Sequence, residues 1–309
     1  MTERILVIKL GALGDLVQAI GPFQAIRAFH LDARITLLTM APYEGLAREL
    51  GIFDEVWLDS RPKWWQLRRV LALRDRLRAA GFRRVYDLQT SDRTGFYFRL
   101  LPPAERPEWS GIAPGASHPH RNPDRDAMHT VDRQAEQLEL AGIPHVPPPD
   151  LRPLRHDVGH FAAGPEAVLL VPGGAAHRPA KRWPAAAYAK LARLLAADGL
   201  RPVVLGSADE QALAHAVCAD CPAALDLSGQ TDLGDIVGLA MAARGAVGND
   251  TGPMHLIAAA GCPSLVLFSA ASDPVLCAPR GSRVTVLRRP DLAALPVDEV
   301  GLAFDAIKR

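Results

Sequence analysis

The chain has 309 residues, 49% hydrophobic and 22% charged, with a formal charge of +1 at pH 7. That length exceeds one ordinary hydrophobic core and predicts two domains of about 150 residues each. No apolar run approaches the ~20 residues of a bilayer span, and four cysteines suit a reducing compartment better than a disulfide framework.

The elements are expected to alternate. Residues 4–10 read as a strand, 15–29 as a helix, 34–39 as a strand, 43–50 as a helix and 55–58 as a strand. The start runs into its first strand without the apolar region and cleavage site of a signal peptide, so the expected location is the cytoplasm. A helix over 64–80 follows, then a strand at 84–88 and a short segment at 94–100. Residues 102–123, rich in Pro, Gly, Ser and His, read as a long loop over a cleft rather than a core element. A helix over 130–141 leads into a proline cluster at 144–153 that reads as a linker, which divides the chain into domains 1–153 and 154–309.

The second half repeats the alternation. Strands are expected at 167–171, 202–206, 245–248 and 264–268, with helices at 185–198, 209–219 and 253–260. The last helix, 297–308, has no strand after it, which leaves it free to pack back on the first domain. Two such windings predict an α/β protein of two Rossmann-like, doubly wound domains facing a cleft.

Charge is uneven along the chain. Residues 61–106 hold twelve Lys or Arg against four Asp or Glu, which points to an anionic partner. In the helix expected there, Trp64, Leu67 and Leu71 share one spacing and Val70, Leu73 and Leu77 another, with arginines interspersed. Docking on a membrane surface or an acidic glycolipid competes evenly with an ordinary domain helix carrying a solvated arginine face. Cys218 and Cys221 form a Cys-x-x-Cys pair without a second pair, which reads as helix-end packing. His118, His120 and His129 lack a neighbouring cysteine and read as solvated loop residues; no metal is expected.

In open parallel sheets, ligands bind beyond the carboxyl ends of the strands, so the two glycine-rich loops that follow a first strand are the places to look. The first is Lys9-Leu10-Gly11-Ala12-Leu13-Gly14-Asp15, where Gly11 and Gly14 allow close backbone approach. Asp15 at the helix start reads first as a capping aspartate, with a general base accepting a proton from a hydroxyl as the alternative that the second half of the chain has to decide. The second loop, Val171 to Pro184, carries Gly173, Gly174, His177, Lys181 and Arg182, a plausible diphosphate site. A second anion site is expected where Thr251 and Gly252 begin a helix with Pro253 in its first turn, with Asp250 placed to hold sugar hydroxyls and His255 nearby. Neither loop has the dinucleotide fingerprint with an acid about twenty residues on, which disfavours a dehydrogenase. A non-catalytic sugar- or anion-binding module stays open, disfavoured by the presence of both Asp15 and the basic loop.

Four segments together resemble glycosyltransferase family 9, the bacterial family of ADP-heptose:lipopolysaccharide heptosyltransferases. They are Ile8 to Asp15, Ile52-Phe53-Asp54-Glu55-Val56, Lys181-Arg182-Trp183-Pro184, and Gly248-Asn249-Asp250-Thr251-Gly252-Pro253-Met254-His255. The resemblance implies a GT-B fold, an acceptor-binding first domain, a donor-binding second domain, and inverting transfer without a metal or other cofactor. By the same resemblance Asp15 matches the catalytic base and Lys181 the lysine that neutralises donor phosphate. Asp250 matches the carboxylate on the sugar, and Thr251, Gly252 and His255 match the residues around the diphosphate. Thr231 and Glu210 fall near the nucleoside and ribose contacts. Ala176 and His177 depart from the pattern, standing where the family has hydroxyl residues; two phosphate hydrogen bonds are then either missing or supplied by His177. The implied partners are an ADP-heptose donor, or another nucleotide sugar, and an anionic glycan or glycolipid acceptor, with no nucleic acid. Peripheral contact with the inner face of the membrane through residues 61–106 is left open.

Overall fold

A computed structural model describes residues 2–308. The chain forms two compact units, Met1–Pro149 and Asp150–Arg309, whose boundary falls inside the proline-rich stretch 144–153.

The first unit contains β1 (Arg4–Ile8), α1 (Leu13–Val17), α2 (Ile20–Phe29), β2 (Arg34–Thr39), α3 (Glu44–Glu49), β3 (Glu55–Leu58) and α4 (Leu67–Ala80). It continues through β4 (Arg84–Asp87), α5 (Asp92–Leu100), β5 (Glu108–Gly111), β6 (His118–Pro119) and α6 (Thr130–Leu140). The strands pair in the order β3-β2-β1-β4-β5-β6, all parallel. β1 and β2 are almost wholly buried, as central strands covered by helices on both faces must be, and this is why they read as unbroken apolar runs.

Three expectations change here. The helix over 15–29 is two helices, because Pro22 has no N–H to donate to the Gln18 carbonyl; α2 restarts with Phe23 N donating to Ala19 O at 2.8 Å. Residues 102–123 do not form a loop over a cleft. They carry β5 and β6, and Trp109 of β5 is fully buried edge-on to Phe98, with ring centroids 5.2 Å apart. The prolines, glycines and histidines around those short strands masked a signal that rests on one tryptophan. The basic helix starts at Leu67, leaving Trp64 and Trp65 ahead of it, and its two apolar sets diverge: Val70 and Leu77 are buried while Leu67 and Leu71 are exposed.

The second unit contains β7 (Ala167–Val171), α7 (Ala185–Ala197), β8 (Arg201–Val204), α8 (Gln211–Ala219), β9 (Leu225–Asp226) and α9 (Leu233–Ala242). β10 (Gly245–Asn249), α10 (Gly252–Ala259), β11 (Ser264–Phe268), α11 (Pro274–Cys277), β12 (Val284–Arg288) and α12 (Val297–Asp305) complete it. The order β12-β11-β10-β7-β8-β9, again all parallel, is the same winding as in the first unit read from the other edge. β9, α9 and β12 escaped the sequence reading; α9 has high mean hydropathy without a clear polar stripe, since Ile236, Val237, Leu239 and Ala240 are all buried.

The last helix has an apolar face that packs within its own unit. Val300 and Phe304 of α12 are fully buried in the second unit's own core with Trp183, Tyr188 and Leu191 of the α7 region. A Cβ at Gly245 would stand 2.6 Å from the Phe304 ring, so β10 leaves room for that ring by having no side chain there. Cys218 and Cys221 close the end of α8, with Cys221 N donating to Cys218 O at 2.9 Å and both thiols free.

Candidate active site

Each sheet reverses its strand order between two neighbours, β1 and β4 in the first unit and β7 and β10 in the second. Beyond the carboxyl ends of such a pair the flanking connections part and leave a crevice. The loops predicted to carry chemistry leave three of these four strands, β1, β7 and β10.

In the first unit the loop after β1 is tied to the loop after β4. Lys9 is buried and its Nζ donates to Leu88 O at 3.1 Å, while Leu10 N donates to Gln89 Oε1 at 2.8 Å. Gly11 has φ of +121°, and a Cβ there would lie 2.5 Å from Tyr43 Cε2, so both conformation and space demand glycine. Gly14 lies in the first turn of α1. Asp15 is in that turn rather than at the N-cap, which is Ala12; its Oδ2 accepts from Ala12 N at 3.1 Å. The loop thus fixes the carboxylate by one hydrogen bond.

A cavity of about 170 Å³ opens beside Asp15, lined also by Lys9, Thr90, Arg125, Arg133 and Gln134. Burial pushes the Lys9 ammonium down to about 8, partly offset by the attraction of Asp15. Behind it Asp87 is fully buried, and burial pushes its carboxyl up to about 6 although Thr90 N donates to its Oδ1 at 2.9 Å. A larger cavity of about 520 Å³ lies on the other side of the loop, with Gly11, Met40, Tyr43, Arg61, Gln89 and Arg93 among its walls.

Lys9, Arg125, Arg133, Gln134 and Gln137 were missed as site residues. The signal available was α6, where Gln134 and Gln137, three residues apart, sit on a face that proves to be buried. The histidines of this region take structural positions. His120 Nδ1 accepts from Arg125 Nε at 3.2 Å and its Nε2 lies 3.4 Å from Glu136 Oε1, while His129 Nδ1 accepts from Val131 N at 3.2 Å to cap α6.

In the second unit Asn249, fully buried at the end of β10, ties the crest together. Its Nδ2 donates to Pro172 O at 2.8 Å and Gly173 O at 3.0 Å, and its Oδ1 accepts from Trp183 N at 2.9 Å with the Tyr188 hydroxyl 3.2 Å away. The sequence reading quoted this residue inside a motif without a role. Glu210 closes the loop from the other side: Oε1 accepts from Gly174 N at 2.7 Å and Oε2 from Ser207 N at 2.8 Å. Gly173 is pressed against the Glu210 carboxylate so closely that a Cβ would displace it. Arg182 donates to the Gly174 carbonyl.

Lys181 Nζ donates to Asp250 Oδ2 at 2.5 Å, and His255 Nε2 lies 3.9 Å from Asp250 Oδ1. Thr251 is the N-cap of α10, Gly252 and Pro253 open its first turn, and the Thr251 hydroxyl is buried without a hydrogen bond among the described residues. Free amides at that helix start and a loose hydroxyl favour an anion. Of the predicted residues the structure therefore brings together Lys181, Asp250, Thr251, Gly252 and His255. Glu210 joins them through Gly174, whose Cβ position is 3.1 Å from Thr251 Cγ2. His177 stands exposed on the loop with no hydrogen bond among the described residues, outside this group. Thr231 sits one residue before Asp232, the N-cap of α9.

The model of glycosyltransferase family 9 (heptosyltransferase) matches residues 70–301, well over half of the chain. The chain belongs to that family. A lipooligosaccharide heptosyltransferase 2 of Haemophilus influenzae is 34% identical over 120 residues, covering 37% of this family 9 chain and 34% of the relative. The aligned stretch thus spans about a third of that relative's length. Among solved structures, ADP-heptose lps heptosyltransferase II of Escherichia coli superposes with a TM-score of 0.76 at 23% identity, over 98% of both chains. An E. coli heptosyltransferase solved with ADP-2-deoxy-2-fluoro heptose gives a TM-score of 0.77 at 19% identity, over 98% of this chain and 99% of that one. Both similarities are to the same two-sheet, GT-B architecture. Among the described residues no helix is long and apolar enough to cross a membrane.

Proposed function

We propose that this family 9 chain is an inverting glycosyltransferase that moves a heptose from an ADP-sugar to a lipopolysaccharide-type glycan, with the acceptor held by the first unit and the donor by the second. The observation that carries this reading is the cluster at the start of α10: Lys181 paired with Asp250, and beside them an unbonded, buried Thr251 hydroxyl. An incoming diphosphate competes with Asp250 for Lys181 and meets the Gly252 turn with its free amides, and the released Asp250 carboxylate takes up sugar hydroxyls. Glu210, by fixing Gly174, and Thr231 and His177 complete the donor side in this reading. The ADP-sugar is supported by the E. coli heptosyltransferase of the same fold that was solved with ADP-2-deoxy-2-fluoro heptose, and the acceptor class by the name of the H. influenzae relative.

The step is a direct displacement. Asp15 takes the proton from an acceptor hydroxyl as that oxygen forms its bond to the anomeric carbon. The bond from that carbon to the diphosphate oxygen breaks, and ADP leaves with the electron pair. The charge that develops on the departing diphosphate is matched by Lys181 and the α10 start, groups fixed before the reaction begins. Gly11 and Gly14 let the acceptor approach the loop that carries Asp15.

Contact with an anionic membrane surface is the second part of this reading. Trp64 and Trp65 are 73% and 57% exposed, Leu67 and Leu71 are exposed beside them, and Arg61, Lys63, Arg68 and Arg69 flank the patch. Aromatic rings with arginines at one edge suit the headgroup region of an acidic bilayer.

Calorimetric titration with ADP, GDP, UDP and dTDP tests the donor. Selective ADP binding, lost in Lys181→Ala, is the expected result. Preference for another nucleotide would retain the transferase and discard ADP-heptose, and no nucleotide binding would remove the reading.

A further inference from the structure

The loop that carries Asp15 is held from behind by the loop after β4. Lys9 and Leu10 donate to Leu88 O and Gln89 Oε1, and the next residue, Thr90, stands at φ of +46°. A β-branched residue avoids that left-handed region and persists there only where its surroundings over-determine it. Two contacts do so. Thr90 N donates to Asp87 Oδ1 at 2.9 Å, and Thr90 Oγ1 accepts from Arg125 Nη2 at 2.5 Å. The first is local to the end of β4, whereas the second comes from beyond β6 and ties two distant segments together.

Arg125 is in turn oriented by His120, which follows β6 directly and whose N donates to Gly111 O at 2.9 Å. Arg125 Nε donates to His120 Nδ1 at 3.2 Å; its contact with Asp126, a side chain 94% exposed, holds it only weakly. Because a guanidinium can only donate, Nδ1 carries the lone pair and the ring proton sits on Nε2. Nε2 faces Glu136 Oε1 at 3.4 Å, and Asn122 Nδ2 steadies that carboxylate by donating to both of its oxygens, at 2.9 and 3.0 Å. The charged groups facing the imidazole are thus Arg125 before α6 and Glu136 and Arg133 on it. Burial first, then the charge of Arg125, pushes the imidazole below its ordinary 6.5; Glu136 offsets part of this and Arg133 adds to it. A second ring proton would set N–H against N–H at Nδ1 and cost Arg125 its buried anchor.

We propose that His120 is a positioning residue of the transfer reaction: in its neutral form it sets Arg125 on Thr90 and so keeps the loop of Leu88, Gln89 and Thr90 in the shape that holds Lys9, Leu10 and, through them, Asp15. Each link is a hydrogen bond between named atoms, and the strained Thr90 is the element that relaxes when the link from Arg125 is cut. Acid then weakens the reaction through His120 as well as through the base itself. The effect on transfer rests on the transferase reading above; the strap does not.

Two measurements on the full chain test this with His120→Asn, whose Oδ1 stands where Nδ1 does and cannot titrate, and His120→Leu, which leaves Arg125 Nε without an acceptor. In amide hydrogen exchange at pH 7, His120→Leu should raise exchange of residues 86–92 about tenfold, the loss of one buried hydrogen bond, while His120→Asn matches the parent. Exchange of β2 and α2 should stay unchanged in both. In heptose transfer followed from pH 5 to pH 9, the parent and His120→Asn should agree above pH 7, with the parent falling below the variant in acid by up to about tenfold per pH unit, the slope of one proton. Unchanged exchange of 86–92 in His120→Leu, an equal rise in β2 and α2, or an acid limb identical in parent and His120→Asn overturns the proposal; the second of these reduces His120 to a general prop of the fold. Absence of transfer by the parent strikes the transferase reading instead, and the exchange comparison still decides the strap.

Discussion

The two switch points of this molecule are built from the same strand order but handle polar groups in opposite ways. At the second unit's crest the buried amide and the carboxylates have partners, while the Thr251 hydroxyl and Arg182 Nε do not: Asn249 makes contacts to four residues, Glu210 binds two amides, and Lys181 is neutralised by Asp250. At the first unit's crest three cations face one carboxylate and a buried glutamine has no partner. A crest whose polar groups satisfy one another holds its shape and exchanges a partner for a ligand; a crest with unspent valences waits for a ligand that supplies them.

The comparison breaks most visibly at Asn249. Asn249→Leu strips partners from two buried carbonyls, the Trp183 amide and the Tyr188 hydroxyl, and is expected to cost about 3–5 kcal/mol in denaturant unfolding. A loss under 1 kcal/mol would show that the second crest is not held by that residue.

Asp87→Asn sharpens the contrast from the first unit. Burial raises the Asp87 carboxyl from 3.8 to about 6, so between those values the folded chain keeps a proton that the unfolded chain releases. Its contribution is favourable at low pH and is lost as pH rises through about 6; the neutral amide removes that loss. The variant should be more stable by about 2 kcal/mol at pH 7, with a flatter stability profile between pH 4 and 6. Lys9 behaves in the opposite window: with its ammonium lowered from 10.5 to about 8, its penalty is full below pH 8 and is relieved between pH 8 and 10.5. A stability profile that the Asp87 substitution leaves unchanged would contradict this assignment.

The smallest stability effect is expected at the tryptophan patch. The double substitution Trp64→Ser and Trp65→Ser should leave unfolding within about 0.5 kcal/mol of the parent, since both rings are exposed. Sedimentation with vesicles of anionic lipid should nevertheless lose most of its bound protein. Equal binding by both proteins would reduce the patch to an ordinary solvated surface.

Much of this architecture was legible because buried parallel strands are written as unbroken apolar runs and the first strand of each unit is followed by a glycine loop. β1, β7 and β11 are such strands, and the loops at Gly11 and Gly173 mark the ends of two of them. β5 and β6 were not legible, since their pairing depends on Trp109 finding Phe98 across a stretch otherwise composed of turn residues. α9 was lost because it is apolar on nearly every face. The cluster at the start of α10 was legible because its residues sit next to glycine and proline at a helix start, a local pattern. Arg125, Arg133 and Gln134 come from a different part of the chain than Lys9 and Asp15; only the sheet order places them around one cavity.

The most direct test of the account follows heptose transfer from ADP-heptose to a lipopolysaccharide core acceptor by the parent chain and by Asp15→Asn, with ADP affinity measured on both. The expected result is a fall in turnover of about 10²–10⁴-fold with ADP affinity unchanged, as removal of a general base requires. Turnover within a few-fold of the parent would contradict the account, reducing Asp15 to the residue that holds the Ala12 amide.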